Sequence, residues 1–276
     1  MRPESEQAAA IVRERTAGAP VDVALVLDPG VGAIGEHITG AVAVPCADLP
    51  GFRHPVSDPR GVELVTGTLG TARLAMLKGR FPYYETGDIG SMRVPLETLA
   101  LLGAKAVVFA GSAVSIKSEI RPGAIIAIRD HINLTGLNPL LAETGDKRFV
   151  NLAGAYDQVL RERFHVAAGE AGRKTGEAVF MWFPGPSGET QAEINVARAL
   201  GADVVGMSLV PDVIVARSLG LRVLGAAIVT NYAAGTADDR PGLEPMGRVT
   251  GVAVVPLTRV LLKFFDIWML DGRAAR

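Results

Sequence analysis

The chain has 276 residues, 49% of them apolar, which supplies an ample core for one α/β unit spanning 1–276. Its 28 Lys and Arg against 29 Asp and Glu leave a formal charge of −1, which excludes a basic field for nucleic acid. No apolar run reaches the roughly 18 residues a membrane span needs, and Cys46, the single cysteine, excludes an intramolecular disulfide and a cysteine-rich metal site. A polar N-terminus without an apolar signal core adds to that, so the expected setting is the reducing cytoplasm.

Residues 4–16 read as a helix with Ser5 as N-cap and Ala8, Ile11 and Val12 on one face. The run 21–27 (VDVALVL) reads as a buried strand, followed by Asp28-Pro29-Gly30-Val31-Gly32. A glycine loop after a strand suits phosphate, but Asp28 favours a plain turn, because a carboxylate repels an anion. Alternating runs within 41–81, parted by Pro50-Gly51 and Asp58-Pro59-Arg60-Gly61, predict a meander of antiparallel strands. Arg60 and Arg80 close its ends, as solvated charges or as forks that bind an oxyanion bidentately.

A helix over 94–103 with Gly103 as C-cap precedes a strand at 106–109 and a small-residue loop, Ala110 to Ala113. The strand 125–128 leads to Asp130-His131, where a structural hydrogen bond is favoured over a dyad because neighbours in extended chain alternate sides. Residues 136–157 read as loop. Beyond them come a helix (157–172), a strand (177–183), a helix (189–200), a strand (203–206), a helix (212–219) and a strand (221–229). The stretch 233–251 reads as a surface loop or a lid, and the last apolar segment as a helix after Pro256. The alternation predicts a mixed β-sheet flanked by helices.

The stretch 181–231 holds two loops, Gly185 to Thr190 and Gly206-Met207-Ser208, and a strand that ends in Thr230-Asn231. Both loops follow apolar runs and precede helices, where α/β proteins gather ligand contacts. These segments resemble the trimeric class of purine nucleoside phosphorylases: Gly185-Pro186-Ser187-x-Glu189-Thr190, Gly206-Met207-Ser208-x-x-Pro211, Thr230-Asn231, and also Gly79-Arg80-Phe81-x-x-Tyr84-Glu85 and Ala155-Tyr156-Asp157. The related methylthioadenosine phosphorylases are similar but lack this Glu and Asn pairing.

The resemblance implies a nucleoside phosphorylase-like domain in which phosphate, as co-substrate and without a cofactor or metal, attacks the anomeric carbon of a purine nucleoside. Free base and pentose 1-phosphate leave. It implies that Glu189 accepts from purine N1, suiting a 6-oxopurine, and that Asn231 bonds the N7 side; these two carry the catalytic roles. Tyr84, Met207 and Thr230 line the nucleoside, and Phe149 reaches a neighbouring subunit's site in a homotrimer. Arg60, Arg80, Gly111 and Ser208 hold phosphate.

The sequence departs from the family on the phosphate side. Glycine and serine of the first loop fall at Asp28 and Pro29, the phosphate histidine at Pro82, and a second histidine near Arg60. The base-stacking aromatic falls at Gly188, and no histidine follows His165. At about 1.5–3 kcal/mol for each hydrogen bond to a charge, two missing donors weaken phosphate use by roughly 3–6 kcal/mol. Alternatives therefore stay open: water or another nucleophile, a specialised-metabolite substrate, or a purine-binding protein without turnover.

Overall fold

The computed structural model describes residues 1–16, 18, 20–28, 31–53, 61–236 and 246–268. Its strands are β1 (Val23–Leu27), β2 (Thr39–Pro45), β3 (Glu63–Leu69), β4 (Ala72–Lys78), β5 (Ala106–Ser115), β6 (Ile125–Ile132), β7 (Thr175–Trp182), β8 (Val204–Gly206) and β9 (Arg222–Tyr232). They form one nine-stranded sheet in the order β2-β3-β4-β1-β5-β8-β7-β6-β9, and β9 also pairs β5. Strands β5, β8, β7, β6 and β9 thus close on themselves, while β1 to β4 extend from β5 as an open wing.

The helices are α1 (Pro3–Arg15), α2 (Tyr83–Thr86), α3 (Arg93–Leu101), α4 (Gln158–Glu170), α5 (Gln191–Ala199), α6 (Val210–Ser218) and α7 (Met246–Asp266). Every residue of β1 is buried, as a near-continuous apolar run requires when both faces of a parallel strand are covered. Ala24 and Val26 join a core with Ala8, Leu96, Leu99 and Val213, whereas Val23, Leu25 and Leu27 join another with Leu160, Phe164, Leu257 and Phe264. Helices α1, α3 and α6 therefore cover one face, and α4 and α7 the other. This is the expected mixed sheet flanked by helices, and the antiparallel meander β2-β3-β4 matches the reading of 41–81.

Several boundaries differ from the sequence expectation for identifiable reasons. Arg2, not Ser5, caps α1; the Ser5 hydroxyl lies inside the first turn and donates to Glu97 Oε2 at 2.8 Å. Ala110 to Ala113 are not a loop, because β9 lies beside them and β5 continues its ladder against it, with Ala110 opposite Ala226 and Ala113 opposite Val229. Helix α3, by contrast, stops at the expected glycine: Leu102 is its C-cap and Gly103 follows at φ 115°, with Gly103 N–H donating to Ala100 O and Ala104 N–H to Leu99 O. Pro256 lies within α7, not at its start. The part of the 233–251 segment at 237–245 lies outside the described residues.

Candidate active site

Parallel pairing assembles the site at the ends of the central strands. Leu27 of β1 stands opposite Lys78 of β4 and Ala110 of β5, so the chain leaving β1 meets the chain leaving β4 on one side and Gly111 on the other. The Asp28 N–H continues the ladder by donating to Ala110 O at 2.9 Å. Strand ends of this kind are where α/β sheets leave room for ligands.

Arg80 follows β4, and its side chain is only 2% exposed. Its Nε lies 3.0 Å from Asp28 Oδ1 and 3.4 Å from Asp212 Oδ2, close ion pairs that are not aligned as hydrogen bonds. Nη1 of the same guanidinium is buried and has no hydrogen-bond partner among the described residues. Phe109 carries the group from below, its ring centroid 5.5 Å from Cζ. Ser208 Oγ donates to Asp28 Oδ2 at 3.3 Å. A Cβ on Gly111 would stand 2.0 Å from that same oxygen, so only glycine leaves the carboxylate its place.

Arg80, Ser208 and Gly111 are therefore brought together, and the chain's own carboxylate lies among them. The sequence reading treated Asp28 as a reason for a plain turn; in the folded protein it is itself the anion that faces Arg80. Arg60 and Pro29 lie outside the described residues.

Asp212 is the residue that sequence reasoning missed. A carboxylate in the first turn of α6, within the apolar run VPDVIVARS, is the signal that was available, since such residues are rarely buried without a partner. Burial raises its carboxyl to about 6; the Arg80 charge pulls it down and Asp28 pushes it up. Ser208 is fixed by a turn that no composition cue announces. Leu209 adopts φ 75° and ψ −59°, and Val210 N–H donates to Ser208 O at 2.9 Å, the rare positive-φ γ-turn.

The residues expected on the purine side come from separate elements. Thr190 caps α5 in a capping box with Glu193, and this fixes the preceding Glu189, which is half-buried. Burial raises the Glu189 carboxyl; its own backbone N–H opposes this and Glu193 adds to it. Thr230 and Asn231 lie near the end of β9, with the Thr230 hydroxyl donating to the Asn231 amide oxygen. Met207 and Tyr84 meet at Gly185, where an added Cβ would stand 2.5 Å from Met207 Sδ and 3.3 Å from Tyr84 Cβ. Trp182 holds this loop by donating from Nε1 to Met207 O at 3.0 Å. The Tyr84 hydroxyl is raised by burial and then by the charge of Asp28, so the two halves of the site are close enough to interact.

Phe149 stands apart. It is 74% exposed, with Arg148 Cζ 4.9 Å from its ring centroid. His131 forms no dyad with Asp130: its Nδ1 is 3.1 Å from Tyr156 Oη, the structural role favoured by the sequence, and burial lowers its basicity.

Comparison with known proteins supports a kinship over this whole frame. A sequence model of the phosphorylase superfamily matches residues 28–266. Purine nucleoside phosphorylase 1 of Geobacillus stearothermophilus is 36% identical over 238 residues, covering 84% of this chain and 86% of that one. The purine nucleoside phosphorylase of Mycobacterium tuberculosis is 36% identical over 235 residues, covering 84% of each. The crystal structure of the Schistosoma mansoni purine nucleoside phosphorylase in complex with inosine superposes with a TM-score of 0.86 at 25% identity, covering 97% of this chain and 96% of that one. By sequence and by fold alike, the chain belongs to the phosphorylase superfamily, among the purine nucleoside phosphorylases.

Proposed function

We propose that this protein transfers the pentosyl group of a 6-oxopurine nucleoside to phosphate, releasing free base and pentose 1-phosphate. What supports the reading is the convergence of Arg80, Ser208 and the Gly111 backbone at the strand ends, beside Tyr84 and Met207, in a chain of this family.

The roles follow from where charge develops. As the N-glycosidic bond breaks, the sugar becomes cationic and the purine anionic, so groups that bind the separated charges more strongly lower the barrier. Glu189 accepts from the N1–H of the 6-oxopurine, and Asn231 bonds the N7 side as negative charge builds. Tyr84, Met207 and Thr230 line the nucleoside. Arg80 and Ser208 hold phosphate against the sugar, and Asp28 has to leave them for phosphate to enter, one anion exchanging for another. Arg60 would add a further fork to that anion.

The same reading makes phosphate a co-substrate, with no resident cofactor, and treats 1–276 as one domain working in the cytoplasm. It places Phe149 in the site of a neighbouring subunit of a homotrimer, which accounts for a large aromatic left in solvent on the single chain. Inosine and guanosine incubated with phosphate should yield hypoxanthine or guanine and ribose 1-phosphate. No base from any purine nucleoside, at any phosphate concentration, would overturn the reading.

A further inference from the structure

We propose that this site also cleaves its nucleoside with water, the Asp28 carboxylate standing in for phosphate as the anion and acting as the general base. The proposal rests on the purine pentosyl-transfer reading above and adds a second acceptor to it.

The anion position is filled by the chain. Asp28 Oδ1 is 3.0 Å from Arg80 Nε, Oδ2 is 3.3 Å from Ser208 Oγ, and the carboxylate packs against the bare Cα of Gly111. Beside it lies a cavity of ≈ 10 Å³, lined by Asp28, Arg80, Gly111, Ser112 and Ser208 on its polar side. That is room for about one water molecule. Phosphate, with five non-hydrogen atoms, does not fit while Asp28 stays.

The charges point the same way. One guanidinium already faces two carboxylates, Asp28 and Asp212, so a phosphate dianion added to them would be poorly balanced. A neutral water adds no charge, and Arg80 Nη1, which has no hydrogen-bond partner among the described residues, offers it a donor. The Asp28 charge also serves the cation that develops on the sugar, the electrostatic part that a bound phosphate would otherwise play.

In the step, the water oxygen bonds to C1′ while the C1′–N9 bond breaks, and the electron pair of that bond leaves with the purine. The proton lost by the water passes to Asp28 and on to solvent, and the purine anion takes a proton from solvent. The products are free purine and free pentose, with one water added and no oxidation or reduction.

The test uses the full-length protein with inosine and guanosine in phosphate-free buffer and then with rising inorganic phosphate. Base release without phosphate is expected, with free ribose as the co-product and one solvent ¹⁸O at C1′. Asp28→Asn should slow that release about 10²- to 10⁴-fold, the usual range for losing a general base. Asp28→Ser, which frees the anion position, should turn the product to ribose 1-phosphate in a phosphate-dependent reaction. If the parent protein releases base only with phosphate, or if folded Asp28→Asn hydrolyses as fast as the parent, the proposal is overturned while pentosyl transfer stands. If no base appears under any condition, pentosyl transfer itself falls and the proposal with it. The phosphate-free and ¹⁸O measurements on the parent decide the matter even where a variant does not fold.

Discussion

The hydroxyl of Thr230 donates to the amide oxygen of Asn231 at 2.7 Å, while the amide nitrogen donates to Tyr232 O at 3.0 Å. Both ends of the amide are thus held near the end of β9, so its orientation is set by the chain before the purine proposed to meet it arrives. An interaction of this kind, strongest when the base is anionic, is felt in turnover more than in affinity. Asn231→Ala should lower kcat about 10- to 100-fold, from roughly 1.5–3 kcal/mol of lost transition-state bonding, with little change in hypoxanthine affinity. Steady-state kinetics beside calorimetry with hypoxanthine would check it; equal losses in both would contradict the role.

Glu189 gives the acid limb of the pH profile. The acceptor role proposed for it needs the ionised carboxylate, and burial raises its pKa from the ordinary value. Activity on inosine should therefore fall as pH drops, with a midpoint above that of a solvent-exposed glutamate. Glu189→Gln should remove that limb along with most of the 6-oxopurine activity. A kcat/KM profile that stays flat down to the ordinary carboxylate range would rule the assignment out.

Asp212 makes a prediction about stability. Its folded-state pKa is raised from 3.8 to about 6, so between those values the native protein holds a proton that the unfolded chain has released. The contribution is favourable below the unfolded value and is lost as pH rises through about 6, above which it is constant. Urea titrations between pH 4 and 8 should show this slope in the parent and not in Asp212→Asn. Identical pH dependence in the two proteins would contradict it.

Gly111 and Asp28 should be energetically coupled. An added Cβ at Gly111 stands 2.0 Å from Asp28 Oδ2, so Gly111→Ala must force the carboxylate aside at a cost of about 1–3 kcal/mol. In the background of Asp28→Gly the same substitution should be nearly neutral. A double-mutant cycle by urea denaturation reads the difference, and additive effects would show that the two side chains do not compete for one space.

What was legible in the sequence was local. The all-apolar run of β1 and the turn-divided meander each announce themselves within a dozen residues. The motifs at Gly79-Arg80 and Gly206-Met207-Ser208 further indicated which residues converge. Pairing across distance was not legible. β5 runs on through Ala110 to Ala113 because β9 lies beside it, and no residue in that stretch favours a strand by itself. The carboxylate of Asp28 looked misplaced for an anion site because sequence offers no way to see that a single side chain fills the site. The positive φ of Leu209, which points Ser208 at it, has no glycine to mark it.

The hydrogen bond from Ser208 to Asp28 joins residues 180 positions apart in the chain. Long loops must close before such a contact forms, which makes it a late event in folding. Helices and the β2-β3-β4 meander, whose partners are near in sequence, need not wait for it. In a refolding experiment, recovery of nucleoside cleavage should therefore lag behind recovery of helical signal. A nascent chain would carry most of its secondary structure before it could touch a glycosidic bond.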